Sequence, residues 1–182
     1  MDLRLRNDRW TVLCDSERVR NSTTKQASPL ARERGRVSAE TSLVRILVVD
    51  DFEPFRRFLS TTLLKPPQFE VVGAAADGLD AVHKAEELKP DLILLDLDLP
   101  KLNGIEVARR VRDVSPESRI LFVSAETFPD IARMALDAGA SGYVVKFDVG
   151  VELLVAIDAV LLGKRYLSPR LAGLGLAEDT SA

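Results

Sequence analysis

Five short runs of nearly unbroken aliphatic side chains recur along this chain, and each is followed by a stretch of helical spacing. The runs lie in RILVVDD (45–51), FEVVGAAA (69–76), DLILLDLDL (91–99), RILFVSAE (119–126) and GYVVK (142–146). A strand with one wet face alternates apolar and polar residues. These central runs do not alternate, so both of their faces must be covered, which is what a parallel sheet between helical layers requires. The intervening segments supply the helices. In FEPFRRFLSTTLL, Phe55, Phe58, Leu59 and Leu63 repeat at helical spacing. Pro54 falls in the first turn, where its missing N–H costs nothing. DGLDAVHKAEELKP, GIEVARRVRDVSP, FPDIARMALDAG and the long VGVELLVAIDAVLLGKRYL (149–167) read as the other four. Five βα units with right-handed crossovers predict a doubly wound α/β sandwich around a five-stranded parallel sheet. Ligands of such sheets bind at the carboxyl ends of the strands, near a switch point.

The chain has 182 residues, room for one domain and hardly for two. Residues 44–168 form the expected body, with 169–182 as a short flexible tail. Residues 1–43 are polar, lack a sustained apolar period and read as a disordered arm. That arm carries nine Lys+Arg against six Asp+Glu, so the net charge of −3 hides a more acidic body. An acidic body argues against direct nucleic-acid binding, which rewards clustered Lys and Arg. No apolar stretch has the length of a membrane span, and no signal-peptide core is evident. Cys14 is the single cysteine, which excludes an internal disulfide and a cysteine-rich metal site and fits a reducing compartment. A cytoplasmic location is therefore expected.

The strand ends carry the chemistry. The first run ends at Asp50 and Asp51, the third at Asp96, the fourth at Ser124 and the fifth at Lys146. Aligned strands would bring three carboxylates, a hydroxyl and an ammonium to one rim of the sheet. At ~4 Å and an effective dielectric near 20, each carboxylate pair repels by about 4 kcal/mol, so protons must be taken up or a cation bound. Few protein ligands and hard oxygens suit Mg²⁺, which keeps several of its waters. Lys146 adds a second positive charge that can reach a phosphoryl oxygen.

VVDD, LLDLDLPKLNG, VSA and GYVVK, in this order and at strand ends, resemble the receiver domain of bacterial two-component response regulators. The likeness runs from residue 45 to about 168. It implies a flavodoxin-like (βα)5 fold and a phosphorelay function without enzymatic turnover. Position by position, it implies that Asp96 accepts a phosphoryl group from a sensor histidine kinase or phosphotransfer protein. Asp51 would bind Mg²⁺ directly, Asp50 largely through water and Asp98 through its backbone carbonyl. Lys146 would pair with the phosphoryl group, Ser124 would move to bond it, and Tyr143 would be the aromatic that swings inward afterwards. Asp98 and Glu126, each two residues past a site residue, would tune phosphoryl lifetime. Lys146, Phe147 and Asp148 resemble the Lys-x-Asp form found in receivers attached to LuxR-type helix-turn-helix domains, and GKRYLSP (163–169) points the same way. Only 13 residues follow Pro169, too few for such a DNA-binding domain, so an absent output domain is expected.

Blander explanations exist for single residues. Strand-end solvation could explain Asp50 and Asp51, a structural hydroxyl Ser124, and plain packing Tyr143. His83, the only histidine, lies mid-helix and reads as a surface residue. An enzyme is the alternative. LILLDLDLP also resembles the DxD signature of haloacid-dehalogenase-type phosphatases, with Asp96 as nucleophile and Asp98 as general acid. That family wants Thr or Val where this chain has Pro100, and it wants its metal carboxylates downstream rather than at Asp50 and Asp51. A purely structural binding module would leave the charged cluster unexplained. The final helix is apolar on more than one stripe, which predicts a homodimer or partner-binding face.

Overall fold

A computed structural model describes residues 43–171. The expectations for the arm up to residue 42, for Cys14 and for residues 172–182 lie outside the described residues. The elements run β1 (Val44–Val49), α1 (Glu53–Leu63), β2 (Phe69–Ala75), α2 (Gly78–Leu88), β3 (Leu92–Leu95), α3 (Gly104–Val114), β4 (Arg119–Ser124), α4 (Pro129–Asp137) and β5 (Gly142–Val145). A 3-10 turn (Lys146–Asp148), α5 (Val149–Leu161), β6 (Tyr166–Leu167) and the short α6 (Pro169–Leu171) complete them.

The strands form one parallel sheet in the order β2-β1-β3-β4-β5-β6. Successive side chains of a strand point to opposite faces, so an unbroken apolar run feeds two cores at once. Ile46 and Val48 of β1 pack with Leu59 and Leu63 of α1 and with Leu153 and Ile157 of α5. Leu47 and Val49 join Ala81 and Ala85 of α2, Val107 and Val111 of α3, and Ala132 and Ala135 of α4. The chain reverses direction across the sheet after β2, which leaves the carboxyl ends of β1 and β3 side by side.

Local chemistry sets the helix starts. Asp77 and Asn103 cap α2 and α3 by accepting the N–H groups of Asp80 and Glu106, both at 2.9 Å. Pro54 and Pro129 occupy the first turns of α1 and α4.

Two expectations need correction. The sheet has six strands, not five, and α5 ends at Leu161 rather than running to Leu167. Gly163 adopts φ +79°, a left-handed conformation open to glycine, and turns the chain back. Tyr166 and Leu167 then pair with Gly142 and Tyr143 along the outer edge of β5. Leu171 is fully buried, so packed structure continues three residues past the expected boundary at 168.

Candidate phosphoacceptor site

Residues 50 and 96 follow adjacent parallel strands, and the Asp96 N–H donates to the Val49 carbonyl at 2.9 Å. This pairing aligns the carboxylates. Asp50 is 1% exposed and Asp96 4% exposed, while Asp51 is open to solvent. One oxygen from each of Asp50, Asp51 and Asp96 can be chosen so that all lie within 4.8 Å of one another.

Lys146 begins the 3-10 turn after β5 and reaches back across the rim. Its Nζ stands 2.7 Å from Asp50 Oδ2 and 2.7 Å from Asp96 Oδ2. The other carboxylate oxygens are held by backbone. The Phe52 N–H donates to Asp50 Oδ1 at 2.9 Å, and the Leu97 N–H to Asp96 Oδ1 at 2.8 Å. Arg56 of α1 donates to the Asp50 carbonyl at 2.6 Å, which ties the loop between β1 and α1 to the helix.

Burial pushes the Asp96 carboxyl above its ordinary range, against the pull of Lys146. Burial alone would lower Lys146, but its hydrogen bonds to Asp50 and Asp96 outweigh that and hold the ammonium above its usual value. One lysine therefore leaves the acidic pocket short of positive charge. Asp50 Oδ2 is buried and makes no hydrogen bond of good geometry, although the ammonium is near. Hard oxygens, an under-satisfied buried carboxylate and an exposed neighbour on the solvent side fit a small divalent cation such as Mg²⁺.

The remaining predicted residues divide. The Asp98 side chain is exposed and is not part of the acid cluster. Ser124 is fully buried at the end of β4, where its Oγ accepts the Glu126 N–H at 3.2 Å. Tyr143 is fully buried, stacks on Phe122 at 6.1 Å between centroids, and donates its hydroxyl to the Glu126 carbonyl at 3.0 Å. It already occupies the inward position. Burial pushes its phenol up to about 12. His83 is exposed on α2, 4.0 Å from Glu87, as a surface residue should be.

Sequence reasoning missed three supports of this site. Phe55 places its ring 4.9 Å from Lys146 Nζ. Ser168 Oγ accepts the Val145 N–H at 2.9 Å, one residue before Lys146, and donates to Glu152. Arg170 makes a two-pronged pair with Asp148, at 2.7 and 2.9 Å. Helical spacing marked Phe55 only as core, and the other two depend on a chain reversal that no local pattern announced.

A family model described as the response regulator receiver domain matches residues 46–158. The chain is 35% identical over 130 residues to the response regulator GacA of Pseudomonas viridiflava, across 71% of this chain and 61% of that protein. It is 37% identical over 136 residues to the DNA-binding transcriptional activator DevR/DosR of Mycobacterium tuberculosis, across 75% of this chain and 63% of that one. The chain thus spans less than two thirds of the length of these relatives. A crystal structure of a LuxR-family two-component response regulator from Aurantimonas sp. SI85-9A1 superposes with a TM-score of 0.70 at 38% identity, covering 72% of this chain and 94% of that one. The phosphatase alternative is not supported, because Asp98 stands outside the cluster while the upstream Asp50 and Asp51 join it. With the acid pocket at the ends of β1 and β3 and a family match over more than half of its length, the chain belongs to the response regulator receiver domain family.

Proposed function

We propose that this chain is the phospho-accepting part of a two-component phosphorelay, with Asp96 as the acceptor and a histidine kinase or phosphotransfer protein as the donor. The observation that carries the reading is the gathering of Asp50, Asp51 and Asp96 at one rim of the sheet, with the Lys146 ammonium 2.7 Å from both Asp50 and Asp96. An oxygen of Asp96 attacks phosphorus, the P–N bond to the donor imidazole breaks, and its electron pair leaves with the imidazole. Asp96 is suited to this role because its backbone bonds hold the carboxylate still while its Oδ2 faces the ammonium. Lys146 then transfers a hydrogen bond from Asp96 to a phosphoryl oxygen.

Asp51 and Asp96 would hold Mg²⁺ through their side chains, Asp50 through water and Asp98 through its carbonyl. When bound, the ion neutralises charge on the phosphoryl oxygens. Ser124 gives up its bond to the Glu126 N–H to reach the phosphoryl group. The inward Tyr143 fills the space behind it, so that a local change in charge biases a surface some distance away. Asp98 and Glu126, each two residues past a site residue, tune how long the group survives. No steady turnover of a substrate is expected. The exposed apolar residues Val151, Leu154 and Val155 of α5 support a homodimer face. The bound surface is a protein one rather than DNA or membrane, and among the described residues no helix is long and apolar enough to cross a membrane. A cytoplasmic setting, where a kinase can reach Asp96, completes the reading.

Intact mass after incubation with phosphoramidate and Mg²⁺ tests it. The wild type should gain the mass of one phosphoryl group and Asp96→Asn none. Continuous hydrolysis of phosphate esters, or equal labelling of Asp96→Asn, would overturn it.

A further inference from the structure

We propose that Phe55 is a positioning residue for Lys146, acting through the face of its ring; this rests on the reading of Asp96 as the acceptor. Lys146 carries its charge on a flexible four-carbon stem with many rotamers. Its ammonium has three N–H donors, and the acid pocket supplies oxygens at 2.7 Å from Asp50 and Asp96. On another side stands Phe55, with its ring centroid 4.9 Å from Nζ, inside the range at which a ring quadrupole attracts a cation. The ring is itself fixed. It packs against the core between the sheet, α1 and α5, and stacks on Phe58 with centroids 5.8 Å apart and planes 25° from parallel.

The value of this contact lies in its constancy. When Asp96 takes a phosphoryl group, its Oδ2 loses the full charge that held the ammonium, and Lys146 must exchange one partner for another. When a divalent cation enters, it competes for Asp50. Neither event changes the ring. Phe55 therefore keeps the ammonium at the pocket while its anionic partners change, and it keeps solvent from that side of a lysine that is only 20% exposed. Arg56, the next residue, anchors the same turn of α1 to the Asp50 carbonyl, which ties the helix that carries the ring to the acid loop.

Phe55→Leu and Phe55→Tyr separate ring chemistry from packing. Leucine keeps an apolar side chain, whereas tyrosine keeps the aromatic face. NMR of the Lys146 ε-methylene protons, assigned against Lys146→Gln, should show an upfield ring-current shift in wild type and Phe55→Tyr that disappears in Phe55→Leu. Labelling by phosphoramidate in Mg²⁺ should slow in Phe55→Leu, because a share of the lysine then lies out of place, by at most about thirtyfold, the factor a desolvated cation–π contact supplies. Phe55→Tyr should restore the rate. Three outcomes overturn the role of Phe55: no ring-current shift in the wild type, an unchanged rate in Phe55→Leu, or an equal loss in both variants at unchanged melting temperature. A wild type that takes no label removes the reading of Asp96 and this role with it. A labelled wild type matched by Phe55→Leu removes the role of Phe55 alone.

Discussion

Gly104 lies eight residues after Asp96, yet it decides where that carboxylate sits. Its N–H donates to the Leu97 carbonyl at 2.8 Å, and a Cβ at this position would stand 2.3 Å from the Asp96 carbonyl oxygen. No side chain fits there, so the loop that carries Asp96 folds tightly onto the start of α3. At the same scale, Tyr143 offers a test by pH. Burial denies its phenolate the hydration it would need, and its folded pKa of about 12 lies above the ordinary value of 10. The stability this contributes is complete below pH 10 and is lost as pH rises from 10 towards 12. Tyr166, the only other tyrosine, is also shifted upward, first by burial and then by the nearby Glu152. Absorbance of tyrosinate near 295 nm should therefore stay low in the native protein at pH 10 and appear at that pH in urea. Half-ionisation of the native protein at pH 10 would contradict the burial of Tyr143 and the upward shift of Tyr166.

Among the elements, the C-terminal strap of β6 and α6 is the one that local patterns did not announce. It covers the open edge of β5 and grips the turn that carries Lys146 at several points. The Ser168 N–H donates to the Tyr143 carbonyl at 2.9 Å, Ser168 Oγ accepts from Val145, and Arg170 pairs with Asp148. Arg170 holds the Asp148 carboxyl below the usual range, so this pair helps above about pH 4 and is lost as pH falls through the lowered value. Leu171 locks the strap by filling the core between the sheet and the helices on the α2–α4 face. Leu171→Ala should cost about 2–4 kcal/mol, read by urea unfolding of the full chain. A loss below about 0.5 kcal/mol would mean that the strap is not packed. The α5 prediction failed here for a physical reason. The apolar run continues smoothly through Leu162, and only pairing with the edge of β5 makes a strand of Tyr166–Leu167.

At the scale of the whole molecule, the surface of α5 is the feature the core does not consume. Val151 is 80% exposed and Val155 60% exposed, although the opposite side of the helix is buried. A second copy of the chain is the proposed cover. Light scattering should show dimer at high concentration, increased by beryllofluoride with Mg²⁺ and reduced by Val155→Lys; a monomer under every condition rejects it. The pocket gives a second global measurement. If the acid pocket holds Mg²⁺ as proposed, the ion should raise the melting temperature of the wild type, since the dispersed carboxylates of the unfolded chain would not hold it. Asp51→Asn should lose most of that rise.

The two-faced burial of the strands, the order of βα units, the proline in the first turn of α1 and the carboxylates at strand ends were all legible in the amino-acid sequence. Each depends on residues close together in the chain, where periodicity and spacing speak directly. The tertiary structure alone decided the sixth strand, the packing of Leu171, the inward seat of Tyr143 and the ring of Phe55 over Lys146. These bring together residues far apart in sequence, 91 positions in the last case, through contacts that form only after the sheet has closed and the helices have docked. A local pattern records which side chains must leave water, but not which partners they meet when they do.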